Sequence, residues 1–268
     1  MKNKSLAKRF GHHHHRNHRS GGRRASVPLP NCIVYIFRFR FRFSLQSRSH
    51  GKPEAEPTHL PRSQERPGHQ SMEVAAAKPV LRVAAVCGSL RRASYNRGLL
   101  RAAAEVCEES VPGMRVEHVD ISALPLLNTD LETPDGGFPP AVEAFRDRIR
   151  AADCFLFGSP EYNYSIATPL KNALDWASRG NNCWADKPAA IVSAGGGFGG
   201  GRSQYHLRQV GVFLDLHFIN KPELFVQAFQ QPPKFDSDGN LIDAEIRERI
   251  KKVLLSLQAF TLRIQNKD

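Results

Sequence analysis

The run LRVAAVCGSLRRASYN, residues 81–96, constrains the fold more than any other stretch of the chain. Leu81 to Cys87 is nearly all apolar and carries two valines, the composition of a strand buried on both faces. At Gly88 it breaks into a polar loop with Ser89, Arg91, Arg92, Ser94 and Asn96, and a helical pattern, RGLLRAAAEVCEES, follows at once. Strand, polar loop and helix in that order gather backbone N–H groups and the positive end of a helix dipole at one point, where a phosphate binds. Hydroxyl, amide and guanidinium groups add side-chain donors there. The three-glycine dinucleotide fingerprint is missing, and no Gly-Lys-Ser/Thr completes a P-loop. A loop with its own hydroxyl and guanidinium donors suits a single terminal phosphate monoester. From this stretch alone, an ordinary connection whose serines cap the helix reads equally well.

The elements that follow alternate. Strands are expected at 81–87, 114–119, 153–158, 188–193 and 224–226, and helices at about 96–110, 140–152, 168–178, 203–214 and 243–265. Five strands with intervening helices make an α/β fold, a doubly wound parallel sheet with helices on both faces. Ligands of such sheets sit past the carboxyl ends of the strands, where strand order reverses. Three loops of unusual composition fall at those ends: 88–96, 159–166 and 194–202. A long Pro- and Gly-containing segment, LPLLNTDLETPDGGFPP, reads as a surface excursion near another strand end.

The second loop lies in GSPEYNYSIATPLKNALDW, residues 158–176. Pro160 holds Ser159 extended, and Glu161, Tyr162, Asn163 and Tyr164 then present carboxylate, amide and aromatic groups in a row. A flat heterocycle needs that mixture of wall and polar edge; a turn with two half-buried tyrosines is the plainer alternative. The third, SAGGGFGGGR at 193–202, has six glycines in ten residues, which permits close backbone approach and positive φ. Its place directly after a buried strand argues against a merely mobile surface loop.

Charge is segregated along the chain. Residues 1–71 hold 15 Lys+Arg and 3 Asp+Glu, a net of 15 − 3 = +12, whereas 72–268 hold 23 of each and are neutral. The basic character therefore belongs to the N-terminal segment and does not describe the partners of the rest. That segment, with HHHH at 12–15, arginine clusters and a Pro/Glu/Ser/Gln/His-rich stretch at 51–71, is expected to be a low-complexity, disordered extension. Its alternating IVYIFRFRFRF, residues 33–43, is too short and too charged to span a bilayer. Three readings of 1–71 compete: a transit segment to a plastid or mitochondrion, a nucleic-acid or membrane tail, or upstream sequence ahead of a working start at Met72. Residues 72–268 then form the domain. Five cysteines without close spacing give no disulfide framework and no metal pattern, so free buried thiols in a reducing, cytoplasmic compartment are expected.

Taken together, GSLRRASYN (88–96), SPEYNYSIATPLKNALDW (159–176) and SAGGGFGGGRSQYHLRQV (193–210) resemble the NADPH-dependent FMN reductases of flavodoxin-like fold, in particular the plant quinone oxidoreductases. The resemblance covers nearly all of 80–265 and none of 1–71. It implies that Ser89, Arg91, Ser94 and Asn96 hold the FMN phosphate, that Pro160, Glu161, Tyr162 and Asn163 line the isoalloxazine, and that Ser193, Gly195 and Gly196 pack near its other end. It also implies self-association to a dimer or tetramer, with Arg202, Tyr205 and His206 near the interface. The implied activity is two-electron, ping-pong reduction of a quinone by NADPH or NADH through FMN. No protein nucleophile or metal is called for, and Tyr162 and Asn163 are the ring-tuning candidates. A flavodoxin-like electron carrier, a general flavin, azo or chromate reductase, and a nucleic-acid-binding protein acting through the basic arm are the alternatives. The folded domain, without a basic surplus, is not expected to bind nucleic acid, and no membrane span is expected in it.

Overall fold

The computed structural model describes residues 80–266; the expectations for 1–71 and for a start at Met72 lie outside them. In chain order the elements are β1 (Leu81–Cys87), α1 (Tyr95–Ser110), β2 (Met114–Val119), a 3-10 turn at Thr129–Leu131, α2 (Pro140–Ala151), β3 (Cys154–Gly158), β4 (Glu161–Tyr162), β5 (Ser165–Ile166), α3 (Thr168–Ser178), β6 (Lys187–Gly195), α4 (Gly201–Phe213), β7 (Leu216–Phe218), β8 (Leu224–Gln227) and α5 (Ala244–Gln265). Local sequence places the helix starts. Ser94 caps α1, its Oγ accepting from the Arg97 N–H at 3.4 Å, and Asp243 caps α5 through Ile246 N–H at 2.9 Å. Prolines open α2 and α3, where the missing donor costs nothing.

The main sheet is parallel throughout, in the order β2-β1-β3-β6-β7, with β8 also paired to β6. The expected five-stranded count needs one amendment. The outer edge is shared by two short strands, β7 against Lys187–Ala189 and β8 against Val192–Gly195. β7 is three residues long and contains a histidine, too little for a periodic signal. The 159–166 loop also holds structure that was not expected, the antiparallel hairpin β4–β5.

Each face of the sheet carries its own core. Val83, Ala85 and Cys87 of β1 join α1 and the apolar stripe of α5, Ile246, Ile250, Val253, Leu254 and Leu257. Ala84 and Val86 face the other way, with Phe155 and Phe157 of β3, α2, α3 and Trp184. This is why β1 and β3 read as unbroken apolar runs. No helix among the described residues is long and apolar enough to cross a membrane.

Candidate functional site

Because β1 lies between β2 and β3, the chain leaves β1 toward one side and returns on the other. The loops after β1 and β3 therefore flank the switch point, where the strands' carboxyl ends open a crevice. Gly88 joins the two loops, its N–H donating to Gly158 O at 2.8 Å. A Cβ on Gly88 would lie 2.9 Å from both Leu170 Cβ and Pro160 Cδ, so only glycine lets the walls meet so closely. Above this junction opens a cleft of about 650 Å³, with Gly88–Arg91 on one wall and Tyr162, Asn163 and Ser165–Pro169 on the other.

The β1–α1 loop presents donors to this cleft. The backbone N–H groups of Leu90, Arg91 and Arg92 have no acceptor among the described residues. Arg91 is exposed, its guanidinium 5.2 Å from the centre of the Tyr95 ring. The N-terminus of α1, a sixteen-residue helix, begins just beyond. Ser89 and Arg91 thus line the cleft, whereas Ser94 is buried beneath the loop and occupied as the helix cap. Buried beside it, the Cys87 thiol is pushed above its ordinary pKa by desolvation, against the opposing pull of Arg97 and Ser94.

The Asn96 side chain is buried and tied to the end of β6: one Nδ2 N–H donates to Ala194 O, and Oδ1 accepts from Ala194 N–H, each at 2.9 Å. It braces α1 against the sheet. Ser193 is a brace as well, wholly buried, donating to Gly199 O at 2.6 Å and accepting from Gln204 Nε2 at 2.8 Å. These bonds fold the glycine loop back over the end of β6. Gly200 enters α4 at φ +85°, and a Cβ there would meet Ser193 Cβ at 2.7 Å. Gly195 is half-buried and Gly196 exposed; neither lines the 650 Å³ cleft.

On the second loop, Pro160 is buried and Tyr162 stands 64% exposed. Asn163 and Tyr164 take φ of +48° and +66°, the two left-handed residues of a tight hairpin turn. The turn turns Tyr164 outward, 65% exposed, rather than packing it against a helix. Glu161 does not face the cleft as a free carboxylate. Its two oxygens accept from the Arg202 backbone N–H at 2.9 Å and from Arg202 Nη1 at 3.0 Å. The Arg202 guanidinium in turn lies 4.0 Å from the Tyr164 ring centre and 4.9 Å from that of Phe198. Arg202 therefore latches the hairpin to the glycine loop, a role that the one-dimensional pattern does not display, since Glu161 lies 41 residues away. Tyr205 reaches Glu223 at 3.3 Å, and His206 Nδ1 lies 3.0 Å from Ser165 Oγ.

Residues 81–231 match the family described as NADPH-dependent FMN reductase. The chain is 88% identical over 197 residues to a probable NADPH:quinone oxidoreductase 1 of Oryza sativa subsp. japonica, covering 74% of this chain and 100% of that one. It is 68% identical over 194 residues to an NADPH:quinone oxidoreductase of Arabidopsis thaliana, 72% of this chain and 98% of that one. Among solved structures, a flavoenzyme NAD(P)H:(acceptor) oxidoreductase from Paracoccus denitrificans superposes with a TM-score of 0.58 at 29% identity, over 69% of this chain and 98% of that one.

Proposed function

The chain belongs to the NADPH-dependent FMN reductase family, and on that premise we propose that it is an FMN-dependent NAD(P)H:quinone oxidoreductase whose flavin sits in the crevice between the β1 and β3 loops. The observation that carries the placement is the cleft itself, with unpartnered backbone donors and a free arginine on one side and an aromatic and amide wall on the other. The names of the rice and Arabidopsis relatives support the quinone as electron acceptor. When bound, FMN supplies the redox chemistry, taking a hydride from NAD(P)H and delivering two electrons to the quinone.

The chain's own residues bind and orient. Ser89, Arg91 and the N–H groups of residues 90–92 hold the phosphate, with the α1 dipole behind them. Ser94, as cap, aims that helix end. Tyr162 and Asn163 wall the ring and tune its polar edge; Pro160 sets the start of that wall, and Glu161 anchors it through Arg202. Gly195 and Gly196 lie outside the cleft's lining, on a neighbouring loop held in shape by Ser193 and Asn96, and would approach only the far end of the ring.

Self-association to a dimer or tetramer is supported by α4, which leaves Val212 82% and Phe213 89% exposed beyond Tyr205. Among the described residues, four free, buried cysteines suit a reducing compartment, and the cytoplasm is the proposed place of action. Residues 72–268 are the proposed catalytic domain. Their length, 268 − 71 = 197, equals the length matched across the whole rice relative.

The purified protein is expected to be yellow, to release FMN on denaturation, and to oxidise NADPH when a benzoquinone is added, with parallel reciprocal plots. Arg91→Ala is expected to weaken FMN retention. A protein that binds no FMN and oxidises no NADPH after reconstitution would refute the proposal.

A further inference from the structure

A second cavity, of about 280 Å³, lies away from the crevice, between α1 and the β2 edge of the sheet. Its floor is apolar, made by Ala85 of β1, Leu100 and Ala104 of α1, and Val116 of β2. Its rim is basic, two arginines and an imidazole that burial and Arg97 hold below its ordinary pKa. Arg97 and Arg101 are four residues apart, and so on one face of α1. His118 lies on β2 directly opposite Ala85 in the β1–β2 register. The Nε atoms of both arginines are buried and have no partner among the described residues. Arg101 spends one Nη on the Asp238 carbonyl at 3.3 Å.

The carboxylates nearby are already engaged. Asp120 faces His118 but accepts from the Ser122 hydroxyl and N–H at 2.7 and 3.1 Å. Asp236, near Arg101, accepts from Asn240 and Asp238 within its own turn. Arg148, beside His118, donates to its carbonyl at 3.4 Å and is paired with Glu117 Oε2 at 3.6 Å, so those two charges offset each other. The site thus joins two arginines with unpartnered buried Nε atoms to an apolar floor large enough for a single ring.

We propose that this cavity is a second ligand site, for an organic anion with an apolar body. An aromatic monocarboxylate is the simplest member of that class. Its ring would rest on Ala85, Leu100, Ala104 and Val116, and its carboxylate would lie between Arg97, Arg101 and His118. An inorganic anion has no body to bury there and uses only half of the site.

The test is calorimetric titration of benzoate, and separately of inorganic phosphate, into the FMN-loaded full chain. Benzoate is expected to bind once per chain, more tightly than phosphate, without changing KM for the quinone. Arg97→Gln with Arg101→Gln is expected to weaken it by at least about tenfold, the loss of a charge-assisted contact or more. Val116→Phe, which fills the floor, is expected to abolish it while sparing phosphate. Arg101→Gln alone carries the test if the double variant does not fold. The proposal is overturned if millimolar benzoate gives no saturable heat, if phosphate binds as tightly, if the variants bind like the parent, or if benzoate competes with the quinone and so belongs to the crevice.

Discussion

Replacing Asn96 with alanine separates a brace from a ligand. Asn96 gives one hydrogen bond to Ala194 O and takes one from Ala194 N–H, both 2.9 Å long and both buried. Alanine leaves two backbone groups without partners, each costing roughly 1–3 kcal/mol when it stays dry. The better helix propensity of alanine returns about 0.5 kcal/mol. The net loss is then roughly 2–5 kcal/mol, which in a domain of this size lowers Tm by roughly 5–15 °C. The decisive assay is urea unfolding of flavin-free protein, followed by far-ultraviolet circular dichroism. The midpoint is expected to fall at unchanged slope before any cofactor is added. If that midpoint does not move and only FMN affinity falls, Asn96 is a phosphate ligand and the reasoning is wrong.

Three further outcomes are expected. Gly98→Ala, normally favourable inside a helix, is expected to destabilise by at least about 2 kcal/mol in thermal melts, because its Cβ would stand 1.8 Å from Gly239 O; a gain in Tm would contradict the close packing. Arg202→Leu removes the pair with Glu161 and the stacking on Tyr164 and Phe198, together worth roughly 1–2 kcal/mol for a partly exposed side chain. Hydrogen exchange over residues 161–166 should therefore quicken about 5- to 30-fold, and an unchanged rate would dismiss the latch. Burial pushes the Cys154 thiol up to about 12 and raises Cys87 and Cys107 as well. Their contribution to stability is then full below the ordinary thiol pKa near 9 and declines as pH climbs toward 12, because the unfolded chain ionises first. Iodoacetamide at pH 8 should leave all three unmodified in the folded protein; labelling as fast as in the unfolded chain would contradict this.

Most of the framework is legible in the sequence because it rests on local signals. The buried runs of β1 and β3, the Ser94 and Asp243 caps, and the stripe of α5 are each contained within one element. The doubly wound parallel architecture followed from alternation, and it placed the three loops at the strands' carboxyl ends before any side chain was positioned; the strand order itself came from the structure. What was not legible depends on contacts far apart in the chain. Asn96 reads as a donor in a phosphate loop, yet its partner is 98 residues away on β6. Glu161 and Ser193 read as lining groups, yet Arg202 and Gly199 take their polar atoms. The hairpin at 161–166 escaped because Asn163-Tyr164 adopts left-handed geometry without the glycine that usually announces it.

The divided outer strand has a consequence for the fold's capacity to change. Between Phe218 and Leu224 the chain leaves β6 and returns to it farther along. It is tied down there by a few bonds, among them Arg208 to Ile219 O at 3.0 Å and Ser256 to Lys221 O at 2.8 Å. This is a built-in splice point. Added sequence lengthens an excursion whose closure entropy grows only slowly with length, at an edge remote in topology from the β1–β3 crevice. A reporter domain, a recognition loop or a lineage-specific insertion placed there would give the molecule a new outer surface and leave the cleft's walls as they are.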